Sequence, residues 1–129
     1  MRLLLDTHAA LWWLADDSRL STPARKAIAA AEEPLLGAGT LFEVAIKASL
    51  GKLQAPEEWA EELLAEGFSL LAISLAHARA YRRLPYVQLA GRPQRDPFDR
   101  LLVAQASVEA IPLVTRDPGI AAHGVATIW

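Results

Sequence analysis

The side chains in this sequence with the means to do chemistry are carboxylates. Cysteine is absent, which removes thiolate ligands and thiol nucleophiles, and His8, His77 and His123 show no metal-ligand spacing. The acids are placed differently. Asp6 ends the apolar run Met1–Leu5, where a charge is costly unless it has a partner. Asp99 shares a helical stripe with Leu102, Val103 and Ala106, whereas a merely solvated acid belongs on the polar face. Glu43 and Asp117 each follow a further apolar run by a few residues. Two carboxylates ~4 Å apart repel by about 4 kcal/mol at an effective dielectric of about 20, and four in one cleft repel several times more. A divalent cation removes that cost. Mg²⁺ and Mn²⁺ favour carboxylate and water oxygens, and an ion held by them can activate water and stabilise charge on a phosphodiester.

These acids share a site only if the chain brings them together. Met1–Leu5 reads as a buried strand, and Thr7 is expected to cap a helix over residues 8–15. Ser21-Thr22-Pro23 opens a second helix to Ala31. A strand over 34–39 leads to a helix started by Thr40 and stopped by Gly51. Pro56 opens an acidic helix to Ala65, residues 68–73 form a third strand, and Ser74 caps a helix to Leu84. Residues 85–95 read as a loop rich in Pro, Gly and Arg. Asp96-Pro97 opens a helix to Ala110, residues 112–115 form a fourth strand, Asp117-Pro118-Gly119 makes a turn and short helix, and 125–129 is a last strand. Strands alternating with helices predict an α/β fold with a parallel sheet between two helical layers. In such a sheet the strand C-termini and helix N-termini share one rim, where ligands bind. Asp6, Glu43, Asp99 and Asp117 are all assigned to that rim.

Each acid also has a structural alternative. Thr40-Leu41-Phe42-Glu43 fits a capping box, and Glu43 is spaced to pair with Lys47. Asp96 fits an N-cap before Pro97, with direct metal contact as the alternative. Asp117 precedes Pro-Gly and suits a turn. Thr7 and Thr115 are candidates for orienting metal-bound water, against helix capping and strand-end bonding. The histidines are assigned to structure. Trp12 and Trp13 are adjacent, so one can be core and the other a protein contact, or both core.

The 129 residues suit one domain, 1–129, and 53% hydrophobic residues suffice for a core without disulfides. No stretch approaches the ~20 apolar residues of a membrane-spanning helix, so a soluble cytoplasmic protein without membrane association is expected. The net charge of −2 is not that of a globally basic nucleic-acid binder. Yet Arg79, Arg82, Arg83, Arg92 and Arg95 form a strip without an acid, while Glu57, Glu58, Glu61, Glu62 and Glu66 suit a solvated helix face.

LLLDTHAALWWL, FEVAIKASLGKL, RDPFDRLLVAQA, LVTRD and the closing VATIW resemble, in that order and over essentially the whole chain, PIN-domain proteins of the VapC toxin type. DPFDRLL-AQA is the most specific piece. The resemblance implies an α/β/α sandwich with strand order 3-2-1-4-5. It implies an acidic site on Asp6, Glu43, Asp99 and Asp117 with Asp96 nearby, and RNA cleavage dependent on Mg²⁺ or Mn²⁺. It also implies homodimerisation and inhibition by a small cognate antitoxin. Arg95 and Arg100 are candidates for holding substrate phosphate, with Arg100 pairing a neighbouring acid as its alternative. The segment from Leu84 to Arg95 is longer than is usual in that subtype and lacks its histidine; it is expected to flank the rim, where substrate preference and antitoxin fit are set.

Two other classes also use this kind of fold. A phosphotransfer or phosphatase-like domain places an Asp at the end of strand one. However, His8 occupies the second position of a D-x-D pair, and the lysines Lys26, Lys47 and Lys52 do not match a late strand end. A PIN-fold binding module without catalysis would have no need of all four acids.

Overall fold

The alternating apolar and amphipathic segments build a three-layer α/β/α sandwich. The structure is a computed structural model and describes residues 1–129. Its elements in chain order are β1 (Arg2–Leu5), α1 (Thr7–Leu14), α2 (Thr22–Ala30), β2 (Glu33–Gly37), α3 (Ala38–Ser49), α4 (Trp59–Ala65), β3 (Ser69–Leu71), α5 (Leu75–Arg83), β4 (Gln88–Leu89), β5 (Arg92–Pro93), α6 (Pro97–Glu109), β6 (Leu113–Val114), α7 (Pro118–Ala121) and β7 (Thr127–Ile128). The main sheet is parallel throughout, in the order β3-β2-β1-β6-β7. With the separate β4–β5 hairpin set aside, this is the expected order 3-2-1-4-5.

Both faces of the sheet are covered, so its strands are apolar runs rather than alternating ones. The period of two still sorts them. Leu3, Leu5, Leu36 and Val114 point into one core with Ala9, Trp12, Ile28, Trp59 and Leu63. Leu4, Leu35 and Leu113 point into the other with Leu102, Val103, Ala106 and Ile120. Each fully buried leucine contributes about 1.5–3 kcal/mol relative to exposure. No helix is long and apolar enough to cross a membrane.

The chain leaves β1 for β2 and β3 on one side and returns to β6 and β7 on the other. The change of direction lies between β1 and β6, so a crevice opens beyond the C-terminal ends of these two strands.

Three local expectations need correction. α1 is capped by Asp6, not Thr7: an Asp6 carboxylate oxygen accepts the Ala9 N–H at 2.8 Å. The Thr40 capping box does not form. β2 runs directly into α3 at Gly37, leaving Thr40 inside the helix with its buried hydroxyl unpartnered. Finally, residues 85–95 are not all loop. Gln88–Leu89 pairs antiparallel with Arg92–Pro93, and Ala90 and Gly91 turn at φ of 53° and 76°, as a two-residue hairpin requires.

Candidate active site

Asp6 is the first residue past β1 and is only 7% exposed. Besides capping α1, it accepts a hydrogen bond at 2.5 Å from the Thr115 hydroxyl, just past β6. Thr115 Oγ1 in turn accepts the Asp117 N–H at 3.0 Å. Burial pushes the Asp6 carboxyl above its ordinary 3.8, opposed by the hydrogen bonds from Thr115 and the Ala9 N–H, which favour the charged form.

Glu43 approaches from α3. Its Oε1 accepts from the Thr7 hydroxyl and its Oε2 from Lys47 Nζ at 2.7 Å, the expected i,i+4 pair. Freed from capping, this acid turns inward and is 5% exposed. α3 meets α6 at Gly39, where an added Cβ would stand 2.5 Å from a Leu101 methyl.

Asp96 and Asp117 each cap a helix. Asp96 accepts from the N–H groups of Phe98 and Asp99 at 2.9 and 3.1 Å, and Asp117 from that of Gly119 at 2.7 Å. Asp99 stands in the first turn of α6, and no protein donor reaches its carboxylate. Burial, then the charges of Asp96, Asp117, Glu43 and Asp6, push it up to about 7. Asp6, Glu43, Asp96, Asp99 and Asp117 line one cavity of about 130 Å³ with Thr7, His8 and Lys47, and no hydrophobic residue takes part.

No three acidic or histidine side chains close on one point tightly enough to hold a metal ion as they stand. The donor set nevertheless fits Mg²⁺ or Mn²⁺: it consists mainly of hard carboxylate oxygens, five acids face one lysine, and Asp99 has no hydrogen-bond donor.

The sites proposed for phosphate fare differently. Arg100 is 1% exposed and does not face the cavity. Its two terminal nitrogens donate to the carbonyls of Pro85 and Leu84 at 3.1 and 2.9 Å, and its guanidinium lies 3.8 Å from the Tyr86 ring centre. It anchors the entry to the hairpin, because a buried guanidinium needs carbonyl partners when no acid is near. Arg95 is exposed beside Tyr86, Gln88 and Pro93, in a different cavity from the acids. His77 is structural, as expected. Its Nδ1 accepts the Ser74 N–H, which leaves Nε2 to donate to Glu109 at 3.0 Å. Reading the sequence missed three rim residues: His8 and Lys47 line the acid cavity, and Arg116 stands beside it. The rim rule that found Asp6, Glu43 and Asp117 applies equally to their neighbours, and that was the available signal.

The comparisons agree with this architecture. The family model of the PIN domain matches residues 3–125. Ribonuclease VapC22 of Mycobacterium tuberculosis is 34% identical over 133 residues, covering 98% of both chains. Among solved structures, VapBC2 from Rickettsia felis bound to a DNA fragment from their promoter superposes with a TM-score of 0.69 at 13% identity, covering 98% of this chain and 97% of that one. FitAcB from Neisseria gonorrhoeae superposes at 0.58 and 20% identity, covering 97% and 95%. With its five acids gathered at the switch between β1 and β6, and with sequence matches running almost end to end, this chain belongs to the PIN domain family.

Proposed function

We propose that this protein is a divalent-metal-dependent endoribonuclease that hydrolyses RNA phosphodiester bonds, and that it is the toxin of a VapBC-type toxin–antitoxin pair. One observation carries the chemistry: five acids from four separate parts of the chain line a single polar cavity, and the unpartnered one among them is pushed up to about 7. The 34% identity to Ribonuclease VapC22 supports RNA as substrate and the toxin role.

Asp6, Glu43, Asp99 and Asp117 would hold Mg²⁺ or Mn²⁺, directly or through water, with Asp96 as a further ligand. When bound, the ion lowers the pKa of a coordinated water and neutralises charge on the phosphate. The protein supplies position. Thr115 and the Ala9 N–H fix both oxygens of Asp6, and Thr7 and Lys47 fix both of Glu43. Asp99 has no such partner. Water attacks phosphorus in line and gives up a proton to solvent, a new P–O bond forms, and the bond to the departing ribose oxygen breaks as that oxygen takes a proton from solvent. Thr7 and Thr115 then act by orienting carboxylates; any hold on metal-bound water comes second to that. Arg95 is retained as a contact for more distant phosphates.

The whole chain acts as one domain, in the cytoplasm, as a homodimer restrained by a small antitoxin; the family resemblance supports each of these. The test of the catalytic reading is RNA degradation by purified protein in Mn²⁺ and in chelator. Cleavage in Mn²⁺ alone, abolished by Asp6→Asn in a protein with unchanged circular dichroism, is expected. No cleavage in Mn²⁺, or equal cleavage by the variant, would overturn it.

A further inference from the structure

Asp6, His8 and Asp117 form a wall shared by two cavities. On the far side from the other acids opens a larger one, about 470 Å³, whose remaining lining includes Trp12, Arg19, Arg116 and Trp129. Here the two shared acids are matched by two arginines and faced by aromatic rings. Two guanidiniums lie against one indole, with Arg19 at 4.9 Å and Arg116 at 4.5 Å from the Trp12 ring centre. Trp129 meets Trp12 edge-on at 5.9 Å, and the His8 ring lies 5.3 Å away.

The two cations are not equivalent. Arg19 is bound twice by Asp17, at 3.0 and 2.7 Å, so its charge is answered within the protein. Lys47, the cation of the acid cavity, is likewise answered by Glu43. Arg116 is exposed and takes part in no hydrogen bond or ion pair; its guanidinium lies on the Trp12 face, with the charge of Asp17 nearby but bound to Arg19. A guanidinium stacked on an aromatic ring is held in orientation while its N–H groups stay available to a phosphate. It also stands one residue before Asp117, against a rim whose acids would repel a polyanion.

Resting on the ribonuclease reading, we propose that this cleft is the subsite for the nucleotide flanking the scissile bond of single-stranded RNA. Arg116 binds its phosphate, Trp12 positions Arg116, and Trp129 and His8 offer ring surfaces to its base. A duplex keeps its bases stacked and paired, so a cleft walled by aromatic rings suits an unpaired strand.

The test is binding of a short fluorescein-labelled single-stranded RNA to Asp99→Asn protein across a salt series, beside cleavage kinetics of the protein with Asp99 intact. Arg116→Ala is expected to weaken binding about tenfold, the size of one charge-assisted hydrogen bond. It should also flatten the slope of log affinity against log salt by about 0.7, one phosphate contact on a single strand. Arg116→Lys should keep the slope and lose part of the affinity. In cleavage, Arg116→Ala should raise KM with little change in kcat, and Lys26→Ala, which removes an exposed cation on α2 away from both cavities, should change neither. If the active protein cuts RNA but Arg116→Ala binds with unaltered affinity and slope, the subsite is overturned and the ribonuclease reading stands. If the active protein cuts no RNA in Mn²⁺, both fall. An equal loss on duplex RNA would overturn the assignment to single strands.

Discussion

The hydroxyl of Thr115 donates to Oδ2 of Asp6 across 2.5 Å, joining the ends of β6 and β1 over 109 positions of sequence. The same hydroxyl oxygen receives the Asp117 N–H, so one threonine sets the spacing of two acids on the rim. Thr115→Val keeps the shape and removes both bonds. It should cost about 1–3 kcal/mol of stability, because a buried carboxylate loses a donor, and about tenfold or more in Mn²⁺ affinity, as loss of a ligand-orienting partner does. Urea melts and Mn²⁺ titration measure the two effects; a variant unchanged in Mn²⁺ affinity would contradict the orienting role.

The pH dependence of the metal-free protein follows from Asp99. Its carboxyl is raised from 3.8 to about 7, chiefly by burial. The folded state therefore holds this proton more tightly than the unfolded one, so its contribution to stability falls as pH rises through that window and is flat above it. Asp99→Asn removes this fall. In chelator the variant should match the parent near the bottom of the window and exceed it at about pH 8. Denaturation curves at several pH values check this, and parallel curves for the two proteins would refute it.

Arg100 holds the hairpin entry through the carbonyls of Leu84 and Pro85, and Arg100→Met leaves both without that donor. A loss of about 2–4 kcal/mol is expected. Hydrogen exchange should rise first in residues 84–95. Uniform exchange change throughout the chain would count against a local anchor.

Gly39→Ala tests the approach of α3 to α6. The new methyl would meet Leu101 at 2.5 Å. The Leu101 methyl ends a half-buried, flexible side chain that can turn aside, so the cost should be only about 1 kcal/mol, and RNA cleavage should persist where the variant is folded. Lost activity in a folded variant would show instead that the new methyl pushes α3 away from α6.

Much of this arrangement was legible in the sequence. Leu3–Leu5 and Leu35–Leu36 are buried on both faces, which leaves an unbroken apolar run, and an acid ending such a run marks the rim. The hairpin was not legible, because two-residue strands show no alternation. Thr40-x-x-Glu43 matches a capping box by spacing alone, yet the turn at Gly37 starts the helix two residues earlier. Arg100 follows Asp99 in sequence but points away from it, since neighbouring helical residues lie about 100° apart. The place of Arg116 was not legible either, because its guanidinium lies over Trp12 of α1, a contact made only in the folded chain.

A divalent-cation site formed by the acids at this rim would make the thermal stability of the purified protein rise as Mn²⁺ is added. At ~100 times its dissociation constant the ion should add about 2.7 kcal/mol of stability, and Asp6→Asn or Asp99→Asn should lose most of that gain. No stabilisation of the parent by either Mn²⁺ or Mg²⁺, or an equal gain in both variants, would contradict it.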